Sequence, residues 1–426
     1  MRTILLPALA LLTACGPVRD EPHDLVLRGG TVVDGTGRPR IQADVAVRGD
    51  RVVAVGPHLE GRRTIDVRGK VVAPGFIDIH SHSDWLLFED GDAQSKIRQG
   101  VTTEIFGEHT SGGPFVGKLP PVKEGIRTIG DYLDALDRAT MSVNVATYVS
   151  QGNVWRCVMG DAFDEPTAAQ LEEMKRLVDE AMRQGAWGLS ILAAEPPGLL
   201  ATTDHLVALA AVAKKHGGIY STHIRNEGTG IFEALKEAIE VGERSGARVD
   251  VIHLKIADQS YWRRMKEVVA LIEAARKRGV DVQANVYPYT RGNNNLVAII
   301  PPWGREGGVE AMLARLRDPA QREKLKRDIT RGLPGWYNHY TAVGGDWSRM
   351  LINDNLSPAN KRFEGQTMDR ILAARGAKDP LDGLFDFLIE ERGSVSCIYE
   401  HHTETDRDLA LLQPWCSIGS DGSAYA

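Results

Sequence analysis

The chain has 426 residues, 42% hydrophobic and 25% charged, the balance of an ordinary globular enzyme with room for one large domain and a small module. Fifty-one Lys and Arg against 57 Asp and Glu leave a net charge of -6. No basic field exists to recruit nucleic acid, which is excluded as a partner.

Met1-Arg2, an apolar stretch at 4–12 and then Thr13-Ala14-Cys15-Gly16 give a basic start, a short apolar core and small residues before a cut. That is the pattern of a secretory signal. Its end, Leu12-Thr13-Ala14-Cys15, resembles the bacterial lipoprotein box, in which the Cys is lipidated and becomes the first residue. Residues 1–22 are therefore expected to be signal and linker. A lipid on Cys15 would hold the protein on the periplasmic side of the bacterial envelope as its only membrane contact. The apolar stretch is far short of the ~20 residues that span a bilayer. Cys157, Cys397 and Cys416 remain, an odd and widely spaced set without CxxC, so neither a disulfide framework nor a zinc ribbon is indicated.

From 23 to 70, short β-rich runs alternate with Gly and Asp turns, as in Val32-Val33-Asp34-Gly35 and Val47-Arg48-Gly49-Asp50. This predicts a small antiparallel sheet module. From Val71 to the end the texture becomes strand, loop, helix. Strands are expected to end at Asp78, Phe106, Tyr148, Leu192, Ile224, Leu254, Val286 and Ile418, with amphipathic helices at 168–183, 205–216, 231–244 and 262–277 between them. Eight strands alternating with helices predict a parallel (β/α)8, TIM-like barrel of the α/β class. Its seventh and eighth strands are separated by a long insert, about 290–414, with helices of its own at 308–317 and 381–391, expected to fold over the barrel mouth.

The first barrel strand ends in His80-Ser81-His82. Side chains alternate faces along a strand, so the two imidazoles share one side and can hold one cation together. Further polar residues recur at later strand ends: Glu108 and His109 on the second, His223 on the fifth, His253 and Lys255 on the sixth, Asp421 on the eighth. Strand ends of this polarity form the active face of such barrels. Imidazole and carboxylate together suit a borderline cation such as zinc. A catalytic zinc site leaves one position for water and lowers its pKa to about 7, and a nearby carboxylate, here Asp421, can relay the proton.

The motifs PGFIDIHSHSD at 74–84, QGVTTE at 99–104, WGLS at 187–190, GGIYSTHIRNEG at 217–228, VIHLK at 251–255, YPYT at 287–290, NHY at 338–340 and PWCSIGSDGSA at 414–424 follow in order. Together they resemble the D-aminoacylase branch of the metal-dependent amidohydrolases. The resemblance implies a (β/α)8 barrel with a small β domain, one or two zinc ions held by His80, His82, His223 and His253, and Asp421 as acid/base. The expected substrate is a small N-acyl-D-amino acid or a related D-configured amide or dipeptide.

Three departures stand out. Best-known members end the second strand in Gly-Asn-Cys; here Gly107-Glu108-His109 leaves Glu108 as the favoured metal ligand and His109 as the alternative. Glu195-Pro196-Pro197 replaces a Tyr-Pro-Pro segment, which would turn substrate preference away from acidic side chains if that loop faces the pocket. The chain stops soon after the eighth strand, where relatives continue, so it reads as a fragment or truncated frame. Lys255 and Tyr287 are expected on the substrate side, with Tyr289 a further candidate, Arg225 and Glu227 as a supporting ion pair, and His401-His402 as a solvated helix start. Two other readings are a cyclic-amide hydrolase, which lacks the Lys it would want near 187–190, and a non-catalytic envelope lipoprotein.

Overall fold

The computed structural model describes residues 22–354 and 356–425, so the leader and Cys15 lie outside the described residues. Two compact units divide between Gly75 and Phe76.

In the first unit, His23–Val32 lies at the centre of a five-stranded sheet. It runs antiparallel to Ile41–Arg48, but parallel to Gly61–Asp66 and to Val71–Val72. The sheet is mixed rather than antiparallel, because the chain returns twice to the same edge of the first strand in the same direction. Val71–Val72, expected at the start of the barrel, belongs here. Pro74 supplies no amide hydrogen for a ladder and breaks the apolar run, so the first barrel strand begins only at Phe76. Val32, Ala43 and Val45 form its small core.

The second unit is the barrel. Its strands are Phe76–Asp78, Val101–Phe106, Asn144–Thr147 continued by Val149–Ser150, Gly188–Leu192, Ile219–His223, Arg248–Val251, Val282–Val286 and Cys416–Ile418. Neighbours pair in parallel. The ring closes between eighth and first strands through a parallel bridge from Ser81 to Gly422 and an Asp421 amide donating to the His80 carbonyl at 2.9 Å.

The crossover helices start and stop where their sequences say. Thr167 and Gln170 form a reciprocal capping box ahead of Ala168–Arg183. Ile231–Ser245 ends on Gly246, whose φ of 72° favours glycine. Their apolar faces, with Leu177, Leu209 and Ile239, cover the strands in one continuous core. Among the described residues no helix is long and apolar enough to cross a membrane.

Between the seventh and eighth strands the chain builds a four-stranded antiparallel sheet of Gly292–Asn295, Ser396–Tyr399, Met350–Asp354 and Gln366–Thr367. Helices including Gly308–Arg317 and Pro380–Glu390 pack on it around a separate core. Phe385 is fully buried there. Phe385→Ala is expected to destabilise this segment by about 3–5 kcal/mol, read by denaturant unfolding, through lost transfer energy plus a cavity.

Candidate metal centre

Five strand ends deliver a tight array of nitrogen and oxygen donors. His80 is 3% exposed, with Nε2 3.2 Å from Glu108 Oε2 and 3.1 Å from Asp421 Oδ1. His82, half exposed, places Nε2 3.0 Å from the same Asp421 oxygen. Imidazole centroids lie 5.0 Å apart for His80 and His82, 5.3 Å for His80 and His253, and 4.6 Å for His223 and His253. Three overlapping groups can each grip one ion: His80, Glu108 and His253; His80, His82 and Asp421; His223, Glu227 and His253.

The backbone is bent to make this array. His253 and Asp421 sit at φ of 37° and 51°, a region L residues seldom adopt, and such strain concentrates at functional sites. The outer nitrogens are engaged. His223 Nδ1 is 3.0 Å from the Ile224 carbonyl, so its N–H donates there and Nε2 is left for the site. His253 Nδ1 lies 3.0 Å from Glu227 Oε1 and 2.9 Å from Lys255 Nζ. Partners of this kind fix tautomer and ring orientation in metal-ligating histidines.

Desolvation works against charge on His80 and His82, but the Glu108 and Asp421 carboxylates outweigh it and raise both, His82 to about 9. Reciprocally, although burial opposes it, the hydrogen bonds from His80 and His82 hold Asp421 well below the usual carboxylate range. Burial pushes the nearby Asp84 carboxyl up to about 7. Glu108 Oε1 is buried with no hydrogen-bond partner among the described residues. A buried orphan oxygen on a carboxylate beside imidazoles is costly unless a cation takes it up, so the donor set fits a divalent ion such as zinc.

His82, Glu108, His223, His253 and Asp421 line one cavity of about 560 Å³ together with Glu195 and Asn293–295, and His80, outside that lining, reaches Glu108 and Asp421. Glu108, not His109, joins the donors; His109 lines the cavity beside them, and the Glu195 carboxyl is held at about 2 as Arg305, His109 and His339 outweigh its burial. Lys255 and Tyr287 do not line this cavity. Lys255 Nζ is committed to Glu227 at 2.5 Å, and the buried Tyr287 ring stands 5.9 Å from His253. Tyr289 stacks on Tyr287 at 5.5 Å and is about half exposed.

Two expectations are corrected. Arg225 does not pair with Glu227; it holds Glu237 at 2.9 Å, while the buried Glu227 takes Lys255, because a carboxylate 3% exposed must have a counter-charge. His401 and His402 are buried, not solvated: the first carbonyl accepts from Trp262, and His402 Nε2 donates to the Tyr289 carbonyl at 2.8 Å. Glu227, read only as an ion-pair partner, joins the donor array from the loop past His223, where no local period places it.

The amidohydrolase family pattern matches residues 63–327. The chain belongs to the amidohydrolase family. This amidohydrolase is 39% identical over 288 residues to a D-aminoacylase of Alcaligenes xylosoxydans xylosoxydans, covering 65% of the chain and 59% of that relative. The chain thus spans about three fifths of the curated relative's length. A solved D-aminoacylase structure superposes with a TM-score of 0.75 at 34% identity, over 94% of this chain and 76% of that one. An N-acyl-D-glutamate deacylase of Bordetella bronchiseptica, solved with zinc and a phosphonate mimic of the tetrahedral intermediate, gives 0.76 at 28% identity and the same coverages.

Proposed function

We propose that this amidohydrolase removes the acyl group from N-acyl-D-amino acids or a related D-configured amide, using one or two zinc ions held by His80, His82, Glu108, His223 and His253. The observation that carries the reading is Asp421, set within 3.1 Å of two histidines on the cavity wall. Relatives named as D-aminoacylase and N-acyl-D-glutamate deacylase, the second solved with zinc, supply the substrate class.

When bound, the metal supplies a Lewis acid for the amide carbonyl and makes a water acidic enough to react near neutral pH. Asp421, a carboxylate at neutral pH, accepts the proton of the attacking water and delivers it to the leaving nitrogen. Asp421 Oδ1 faces the same Nε2 atoms of His80 and His82 that would hold the ion, so it would meet that ion with them, and Oδ2 is left for the proton. Glu227 and Lys255 fix the His253 ring. The cavity, about 560 Å³, accommodates a small acylated amino acid. The leader motif ending at Cys15 supports a lipid-anchored site of action on the periplasmic side of the bacterial envelope, where D-residues of cell-wall peptides occur.

The test is to purify the chain without its leader, measure bound metal, and compare N-acetyl-D- with N-acetyl-L-amino acids and hydantoins. Release of free D-amino acid by zinc-loaded protein is expected; metal-loaded protein inert on every amide defeats the reading. Glu108→Gln is expected to weaken metal binding at least about tenfold, as measured by competition with a chromogenic chelator.

A further inference from the structure

We propose that Lys96, outside the metal cluster, is the positioning residue that sets Asp421 against His80 and His82. Its ammonium is 4% exposed and stands where three strands meet. Nζ donates to Asp78 Oδ2 at 2.7 Å and to Ser420 Oγ at 2.8 Å, and lies 3.4 Å from Ser81 Oγ, 3.5 Å from the Gly422 carbonyl and 3.5 Å from Glu104 Oε2. One cation therefore ties the first strand end, the second strand and the eighth strand end together. It touches neither Asp421 nor the histidines.

The consequence for Asp421 follows from its neighbours. The Ser420 amide donates to Asp78 Oδ1 at 2.7 Å, and the Gly422 amide donates to Ser420 Oγ at 3.0 Å. Asp421 is thus clamped on both sides, through Ser420 and Gly422, by groups that Lys96 organises. A non-glycine residue at φ 51° persists only where its surroundings impose that conformation. The His82 amide donates to the Gly422 carbonyl at 2.8 Å, so the same clamp sets the histidine strand.

The histidine side is held in the same network. Ser81 and Ser83 both donate to Glu104, a carboxylate without solvent exposure, which Lys96 balances. Anchoring Ser81 and Ser83 on Glu104 fixes the short segment past the strand end that carries His80 and His82. Removing the ammonium leaves Asp78 and Glu104 as buried carboxylates without a cation, and the relaxation passes through Ser420 to Asp421.

The kinetic readout rests on the deacylase reading; the spectroscopic one does not. The full chain and its Lys96→Met, Ser420→Ala and Asp421→Asn variants are loaded with Co²⁺, and visible spectra, kcat and KM are recorded per folded molecule. Lys96→Met and Ser420→Ala are each expected to lower kcat by roughly 10–100-fold with KM held within about twofold, as misplacement of about 1 Å does. Their Co²⁺ bands are expected to move in the direction seen for Asp421→Asn, and the double variant to cost no more than the worse single one. Spectra and kcat unchanged from the parent, with only the melting temperature lowered, overturn the proposal, as do additive losses. Should Lys96→Met fail to fold, Ser420 decides: kcat restored by Ser420→Thr supports the clamp, and Thr as poor as Ala overturns it. A parent chain that neither takes up Co²⁺ nor hydrolyses any acyl-D-amino acid overturns the deacylase reading and the positioning role together; an active parent with unaffected variants overturns the positioning role alone.

Discussion

Asp421→Asn is expected to lower kcat by roughly 10²–10⁴-fold, the range that a positioned general acid/base supplies, while leaving the protein folded and metal-loaded. The choice of Asn matters. Asp421 occupies φ 51°, which Asn tolerates better than most residues, so the substitution preserves shape and removes only basicity. Asp421→Ala would add backbone strain and confuse the two effects. An amide at this position still faces His80 and His82, whose Nε2 atoms lie 3.1 and 3.0 Å from the native Oδ1. It has no carboxylate to receive a proton. Steady-state kinetics on an N-acetyl-D-amino acid, with metal content measured in parallel, checks this. A loss below about tenfold with full metal occupancy would remove Asp421 from the proton relay.

Most of the site was legible in the sequence because strand periodicity is strict. A pair spaced by one residue at a strand end must share a face, and His80 and His82 do. His223, His253 and Asp421 were readable as polar residues closing apolar runs. What escaped depends on packing that no local pattern encodes. Glu227 lies past its strand end in a loop, and only the fold sets it 3.0 Å from His253 and 2.5 Å from Lys255. Arg225 looked like its natural partner by proximity in sequence, yet points to Glu237 on the following helix. The burial of His401 and His402 is created by partners far off in sequence, with Trp262 donating to the His401 carbonyl and His402 Nε2 to the Tyr289 carbonyl. The N-terminal sheet shows the same limit: β-rich runs reveal strands, but not that Gly61–Asp66 and Val71–Val72 would pair in parallel with His23–Val32.

Stripping the metal with a chelator is expected to abolish hydrolysis and to lower the stability of the barrel by about 4 kcal/mol relative to protein held at free metal a thousandfold above its Kd. The cost has a structural source. Without a cation, Glu108 keeps a buried oxygen that meets no donor, and Glu108 and Asp421 are left to the histidines alone. Protons partly replace the ion, since the carboxylates raise His80 and His82, the latter to about 9. The sign of the pH dependence follows. A raised histidine stabilises the stripped fold fully below its unfolded pKa of about 6.5, and that contribution fades as pH climbs toward about 9. Metal needs the same imidazoles deprotonated, so its affinity grows over the same interval. The gap in melting temperature between loaded and stripped protein should therefore widen from pH 6 to pH 8.5, as scanning calorimetry of the two forms would show. Equal melting temperatures across that range would mean that the donor array closes on itself without an ion.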